Sequence, residues 1–400
     1  MRRSQSLKMR RSRNVWLIVA KLLLLIIALA AVACLLSERT PVCYRGKCSS
    51  VVGRASSVAM TSSRHAKRQN MERCAPIYGK IMIFIAVESN AFKVERLYGV
   101  AVSSVRCYCA STNYELKIVD VFNDTRVNQQ CSSYASVFFQ KHCAAAAYLN
   151  ETDWMLVIDA DTGVVNPNHC IEEYIDDRVN LLFYERFFNW EIMSGNYLAR
   201  NSEYTRMFLM RWADYQFLEL GGFWWKGFDN GALHAVFLDA LFSRESQEYK
   251  NCEAAWYESD GYETYMQFVI CVRTYLGAQR LWPGKIRLLR RAHGMARDWL
   301  YSDDEWCEAD FMFHGWKHSQ IDKDGWLSPF TAVPNVSLCG NGYSGWYWRA
   351  EKRKTVLEIR ETLRNAERHT STEMGRLNLT FPFLSLVDVG LCYPECDRDL

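Results

Sequence analysis

Trp154-Met-Leu-Val-Ile-Asp-Ala-Asp-Thr-Gly163 is the stretch whose reading decides the fold. Trp154 to Ile158 is an unbroken apolar, β-favouring run, the mark of a strand buried on both faces. Asp159 and Asp161 follow it without a spacer, and Thr162-Gly163 supplies a turn. Working outward, Ile81-Met-Ile-Phe-Ile-Ala-Val87, Leu116-Lys-Ile-Val-Asp-Val-Phe122 and Val179-Asn-Leu-Leu-Phe-Tyr184 read as further strands. Helical patterns fall over 92–110, about 131–149, 200–220, 229–243 and 260–276. Strands alternating with helices at this spacing predict an α/β fold with a mostly parallel central sheet flanked by helices. In such sheets ligands bind beyond the carboxyl ends of the strands, which is where Asp159 and Asp161 stand. Two short carboxylates suit Mg²⁺ or Mn²⁺, ions that neutralise a departing nucleotide diphosphate. A solvated acidic turn is the plainer alternative, and position at the end of a buried strand weighs against it.

Composition bounds the rest. The chain has 400 residues, 49% hydrophobic and 23% charged, which provides a large core and excludes global disorder. The net charge of +3 conceals an asymmetry: residues 1–36 hold seven Lys and Arg and no acid. Removing those seven from 48 leaves 41 bases against 45 acids, a balance of −4 for the remainder. A nucleic-acid partner would require the reverse.

Residues 15–36 form a 22-residue apolar run broken only by Lys21, long enough to cross a bilayer. Six cationic side chains precede it, which predicts a cytosolic tail over 1–14 and a translocated remainder, the topology of a type II signal anchor. A signal peptide cleaved near Ala31-Val-Ala33 is the alternative, giving a secreted product. Residues 37–76 read as a stem, 77–330 as a catalytic head, and 331–400 as an extension with a charged helix over 349–368 and a Cys-containing tail. Of 15 cysteines, 14 follow Cys34, and that density predicts a lumenal disulfide framework. Cys43/Cys48, Cys107/Cys109 and Cys392/Cys396 are close neighbours, but none has the spacing and His partners of a zinc site. Sequons at Asn123, Asn150, Asn335 and Asn378 predict glycosylation on a lumenal surface, placing the protein in the Golgi or endoplasmic reticulum membrane.

Four segments carry a resemblance. Val157-Ile-Asp-Ala-Asp-Thr-Gly-Val-Val-Asn166 resembles the D-x-D segment of GT-A glycosyltransferases. Met193-Ser-Gly-Asn-Tyr-Leu-Ala-Arg-Asn-Ser202, followed by Trp212, is similar to a stretch in the Golgi α-galactosyl-, α-mannosyl- and xylosyltransferases of fungi and plants. Phe228-Asp-Asn-Gly-Ala-Leu233 resembles their acidic D-Q-x-A-L element, with Asn230 where Gln is usual, and Phe311-Met-Phe-His-Gly-Trp-Lys317 resembles their closing motif. Over 79–320 the chain most resembles a nematode-expanded family of glycosyltransferase-like proteins sharing D-A-D-T-G and H-G-W-K signatures.

The resemblance implies a GT-A fold and transfer of a sugar, with retention of configuration, from a UDP- or GDP-sugar to a glycan or glycoconjugate acceptor. It implies a divalent cation, Mn²⁺ foremost, held by Asp159, Asp161 and His314, with Lys317 on the diphosphate and Arg200 near the donor sugar. Asp229 would face the acceptor or reacting sugar as the catalytic carboxylate, although an acid there also suits a helix N-terminus. Trp224 and Trp225 read as an acceptor platform, with plain core packing as the alternative for at least one of the pair. The rival from another class is a lumenal sugar-binding protein that kept the fold without turnover.

Overall fold

Period-2 burial along the first strand sets the architecture in the computed structural model. The structure describes residues 74–88, 91–187, 189–218, 227–322, 325–376, 389 and 392–397. Strand β1 (Ile81–Val87) sends Met82 and Phe84 into one apolar core and Ile81, Ile83 and Ile85 into another. After it come α1 (Ala91–Ala110), β2 (Glu115–Asp120), α2 (Thr125–Gln130), α3 (Val137–Tyr148), β3 (Trp154–Val157) and β4 (Thr162–Val164). Next are β5 (Leu181–Tyr184), β6 (Tyr197–Arg200), α4 (Glu203–Asp214), α5 (Asp229–Leu241), α6 (Gln247–Glu258) and α7 (Tyr262–Leu276). Strands β7 (Leu281–Trp282), β8 (Ile286–Leu289), β9 (Ala296–Asp298) and β10 (Met312–His314) precede the final helix α8 (Val356–Arg376).

The central sheet has seven strands in the order β2-β1-β3-β6-β5-β8-β7. Strands β2, β1 and β3 are parallel, β6 runs against both β3 and β5, β8 is parallel to β5, and β7 opposes β8. Five of the seven therefore share a direction, and the sheet is mostly parallel with helices around it. Sequence patterning does not announce β6, because four residues inside a Gly- and Ser-containing segment carry too little periodicity.

Two helices start later than expected, for local reasons. Cys131 closes α2 and is disulfide-bonded to Cys143, so the next helix opens only after Ser136. Helix α8 begins at Val356 because Thr355 and Glu358 form a reciprocal cap: the Thr355 N–H donates to the Glu358 carboxylate at 2.8 Å, and the Glu358 N–H to the Thr355 hydroxyl at 3.3 Å.

The second sheet, β4-β10-β9, positions the chemistry. Strand β10 is antiparallel to β4 with His314 opposite Thr162, and parallel to β9 with His314 beside Asp298. Disulfides join Cys74–Cys170, Cys107–Cys339, Cys131–Cys143, Cys252–Cys271 and Cys392–Cys396. Cys107 thus passes over its neighbour Cys109, which is a free thiol, as is Cys307. The tail, the 15–36 run, nearly all of the stem, Trp224, Trp225 and Asn378 lie outside the described residues. Among the described residues no helix is long and apolar enough to cross a membrane.

Candidate active site

Asp159 and Asp161 lie in a tight turn between β3 and β4, closed by the Thr162 N–H donating to the Asp159 carbonyl at 2.9 Å. Alternate residues on a strand diverge, and this turn is what brings the two carboxylates to one side. Asn196 fixes it: its side-chain oxygen accepts from the Asp159 N–H at 3.1 Å and from the Thr162 hydroxyl at 2.9 Å. Its amide in turn donates to the Tyr184 hydroxyl at 3.0 Å. Gly195 is needed beside it, because a Cβ there would come within 2.0 Å of the Asp159 Oδ2.

The β10 register brings His314 over the turn. Its Nε2 lies 3.5 Å from the Asp161 Oδ1 and 3.9 Å from the Asp159 Oδ2. Its Nδ1 is 2.7 Å from Asp298, an orientation that leaves Nε2 aimed at the carboxylates. Asp298 is itself held by Arg186 at 3.0 Å. Burial works against charge on His314, but Asp161 and Asp298 more than offset it and raise its pKa. Ligand atoms of Asp159, Asp161 and His314 all fall within 4.8 Å of one another. Asp161 is 5% exposed, and its cationic neighbours stand off at 3.5 Å for His314 and 3.8 Å for Lys317. A buried carboxylate with only long ion pairs, beside a second carboxylate and an imidazole nitrogen, is a donor set that suits a hard divalent cation.

Below the turn lies Lys141, buried, with Nζ 3.1 Å from Asp159 and 2.7 Å from Asp229. Asp229 is the first residue of α5 and is itself buried, so it does more than decorate a helix N-terminus. Burial alone would raise its pKa, but the Lys141 ammonium brings it down to about 2. His142 stands 3.6 Å from Asp229 and stacks on Trp212 at 3.5 Å. Burial, reinforced by Lys141, pushes His142 down to about 4 despite Asp229, so it is neutral at physiological pH. Lys141, Asp159, Asp161 and Asp229 line one cleft of about 480 Å³ with Glu88, Tyr98, His314 and Lys317, the last largely exposed, while His142 stays buried behind Asp229.

Asp159, Asp161, His314, Lys317 and Asp229 thus come together, whereas Arg200 does not. Strand β6 runs against β3, pairing Tyr197 with Val157 near the acids and Arg200 with Trp154 at the far end. Arg200 is exposed and donates to the Asp177 carbonyl at 3.1 Å, which corrects the expectation that it approaches the donor. Asn201 is likewise removed, and the helix cap beside it is Ser202. The Met193–Ser202 stretch serves the cleft through Ser194, Gly195 and Asn196 instead. Lys141 escaped the sequence reading, though a signal existed: Gln-Lys-His interrupts a helix, VFFQKHCAAAAY, that offers no polar face for them. Asn123, Asn150 and Asn335 are all exposed.

Among solved structures, one described as "crystal structure of a glycosyltransferase involved in the glycosylation of the major capsid of PBCV-1" is similar at 12% identity and a TM-score of 0.31, over 59% of this chain and 93% of that one. No curated protein matches the sequence. The family described as "Protein of unknown function, DUF273" matches residues 105–326, more than half of the chain, and the protein belongs to that family.

Proposed function

We propose that the protein is a metal-dependent glycosyltransferase that moves a sugar from a nucleotide-diphosphate donor to a glycan or glycoconjugate acceptor. The observation that carries the reading is the convergence of Asp159, Asp161 and His314 at the end of β3, above the buried Lys141–Asp229 pair. Asp159, Asp161 and His314 would hold the cation, Mn²⁺ or Mg²⁺, which when bound supplies Lewis-acid charge to a departing diphosphate. Asp298 orients the His314 ring for that task. Lys317, largely exposed and 3.8 Å from Asp161, adds a positive charge for the same leaving group. Asp229 is held ionised at the cleft wall, so it serves as a fixed negative charge toward sugar hydroxyls or developing positive charge, not as a proton donor. Retention of configuration follows the sequence resemblance and calls for no dedicated base.

The compartment belongs to the same reading. A type II membrane protein of the Golgi or endoplasmic reticulum, with a lumenal head, accounts together for the basic N-terminal tail and, among the described residues, for five disulfides and three exposed sequons. The test is calorimetric titration of UDP and GDP, with and without Mn²⁺, into wild type, Asp161→Asn and Asp229→Asn. Asp161→Asn is expected to lose Mn²⁺-dependent nucleotide binding and several kcal/mol of transition-state stabilisation, roughly the order of metal-borne charge stabilisation. Asp229→Asn is expected to keep nucleotide binding and lose turnover. Equal, metal-independent binding by wild type and Asp161→Asn overturns the assignment. No nucleotide binding at all leaves the non-catalytic sugar-binding alternative.

A further inference from the structure

Besides Asp298, which holds the His314 ring, a second carboxylate outside the cleft, Asp304, anchors the segment carrying His314 and Lys317. Asp304 is fully buried in left-handed backbone, φ 57°. Its Oδ1 accepts the Trp316 indole N–H at 2.6 Å, and its Oδ2 accepts the Trp326 indole N–H. Trp316 is also fully buried, with its ring directly over Gly163, where a Cβ would come within 2.5 Å of the indole. The Trp316 N–H donates to the Asp161 carbonyl at 2.8 Å, and the Gly315 N–H to the same oxygen at 3.1 Å. On the other side of Lys317, the His318 ring stacks on Trp326 at 4.1 Å, and its carbonyl accepts from the Val100 N–H at 3.2 Å. Val100 is free to make that bond because α1 departs from helical geometry at Tyr98.

Lys317 is therefore slung between two anchored neighbours whose tryptophan supports meet at Asp304. An apolar side chain would pack such a core more cheaply than a buried acid, whose pKa burial drives up to about 7. Two indoles alone do not require a carboxylate, since indoles pack well in cores with their N–H on any carbonyl. What a carboxylate adds is two acceptors at one fixed point.

We propose that Asp304 is a positioning residue, joining Trp316 to Trp326 so that the 314–318 segment presents His314 and Lys317 in register with Asp161. The inference rests on the metal-site reading above. Asp304→Asn keeps the shape but offers one acceptor and one donor group, stranding an indole N–H. Mn²⁺ affinity, read by calorimetry with UDP present, is expected to fall about tenfold, within the range for loss of an outer partner of a metal ligand. Trp326→Phe in the same chain removes the surplus donor and should restore affinity to within about twofold, since one acceptor then suffices for Trp316. Wild-type Mn²⁺ affinity in Asp304→Asn, or failure of the double variant to recover it, overturns the proposal. Absence of Mn²⁺ binding in wild type overturns the metal-site reading and this proposal with it. Should Asp304→Asn not fold, the comparison moves to the Trp326→Phe background. There Asp304→Asn must exceed Asp304→Ala about tenfold in Mn²⁺ affinity, because only the former keeps an acceptor for Trp316. Equal affinities overturn the proposal.

Discussion

Lys141→Met removes one ammonium and leaves a buried carboxylate behind, and the size of that effect can be worked from the pair. Lys141 lies 2.7 Å from Asp229, and both are almost fully buried, whereas Asp159 keeps a third of its side chain in solvent. Most of the penalty should therefore come from Asp229. Its pKa of about 2 against an ordinary 3.8 corresponds to about 2 kcal/mol of stabilisation relative to the unfolded chain. Because the folded value is the lower one, that contribution is present above pH 3.8 and disappears as pH falls toward 2. In the variant the sign reverses. Burial without a counter-ion raises the Asp229 pKa above its unfolded value, so stability is greatest in acid and is lost as pH rises. The difference between wild type and variant should thus widen from pH 4 to pH 7, reaching about 3–5 kcal/mol, the usual cost of removing one partner of a buried pair. Guanidinium unfolding of the purified chain at the two pH values measures it. Adding Asp229→Asn should recover most of the loss and abolish its pH dependence. A deficit below about 1 kcal/mol, equal at both pH values, would refute the reasoning, since exposed pairs behave that way.

Gly195→Ala should displace the Asp159 carboxylate, because the new Cβ would sit 2.0 Å from its Oδ2. Mn²⁺ affinity is expected to fall at least tenfold, as for other perturbed metal ligand shells, and an unchanged calorimetric titration would count against Asp159 as a ligand. The topology predicts that protease spares residues 77–400 in sealed microsomes, and that glycosidase treatment shifts the mass through glycans on Asn123, Asn150 or Asn335. Digestion of that region without detergent would overturn the orientation.

What the sequence made legible is what short-range pattern controls. Strand β1 is seven consecutive apolar residues, so its two-sided burial follows from composition alone. The charged helix near the end was legible as a helix, but its pattern starts at 349, ahead of the cap formed by Thr355 and Glu358. Strand β6 was not legible, since its four residues become a strand only through antiparallel pairing with both β3 and β5. Antiparallel insertion between parallel strands is a tertiary choice with no local signature.

The candidate site divides along the same line, and the division explains the error at Arg200. Acids placed straight after a buried strand are forced to the sheet's carboxyl edge, so Asp159 and Asp161 could be located without knowing any partner. Strand direction decides the other end: had β6 run parallel to β3, Arg200 at its carboxyl end would have stood beside the acids and Tyr197 remote from them. The observed antiparallel register inverts that, giving the cleft Ser194, Gly195 and Asn196 from the residues ahead of the strand. Lys141 obeys the same logic from the helix side. A lysine on a helix is ordinarily a solvated charge, and only the approach of Asp159 and Asp229 from two separate strand and helix ends makes its burial tolerable. The two acids at the centre of the site are thus set by local order along β3, while His314, Asp229 and Lys141 reach them only through register between elements far apart in the chain.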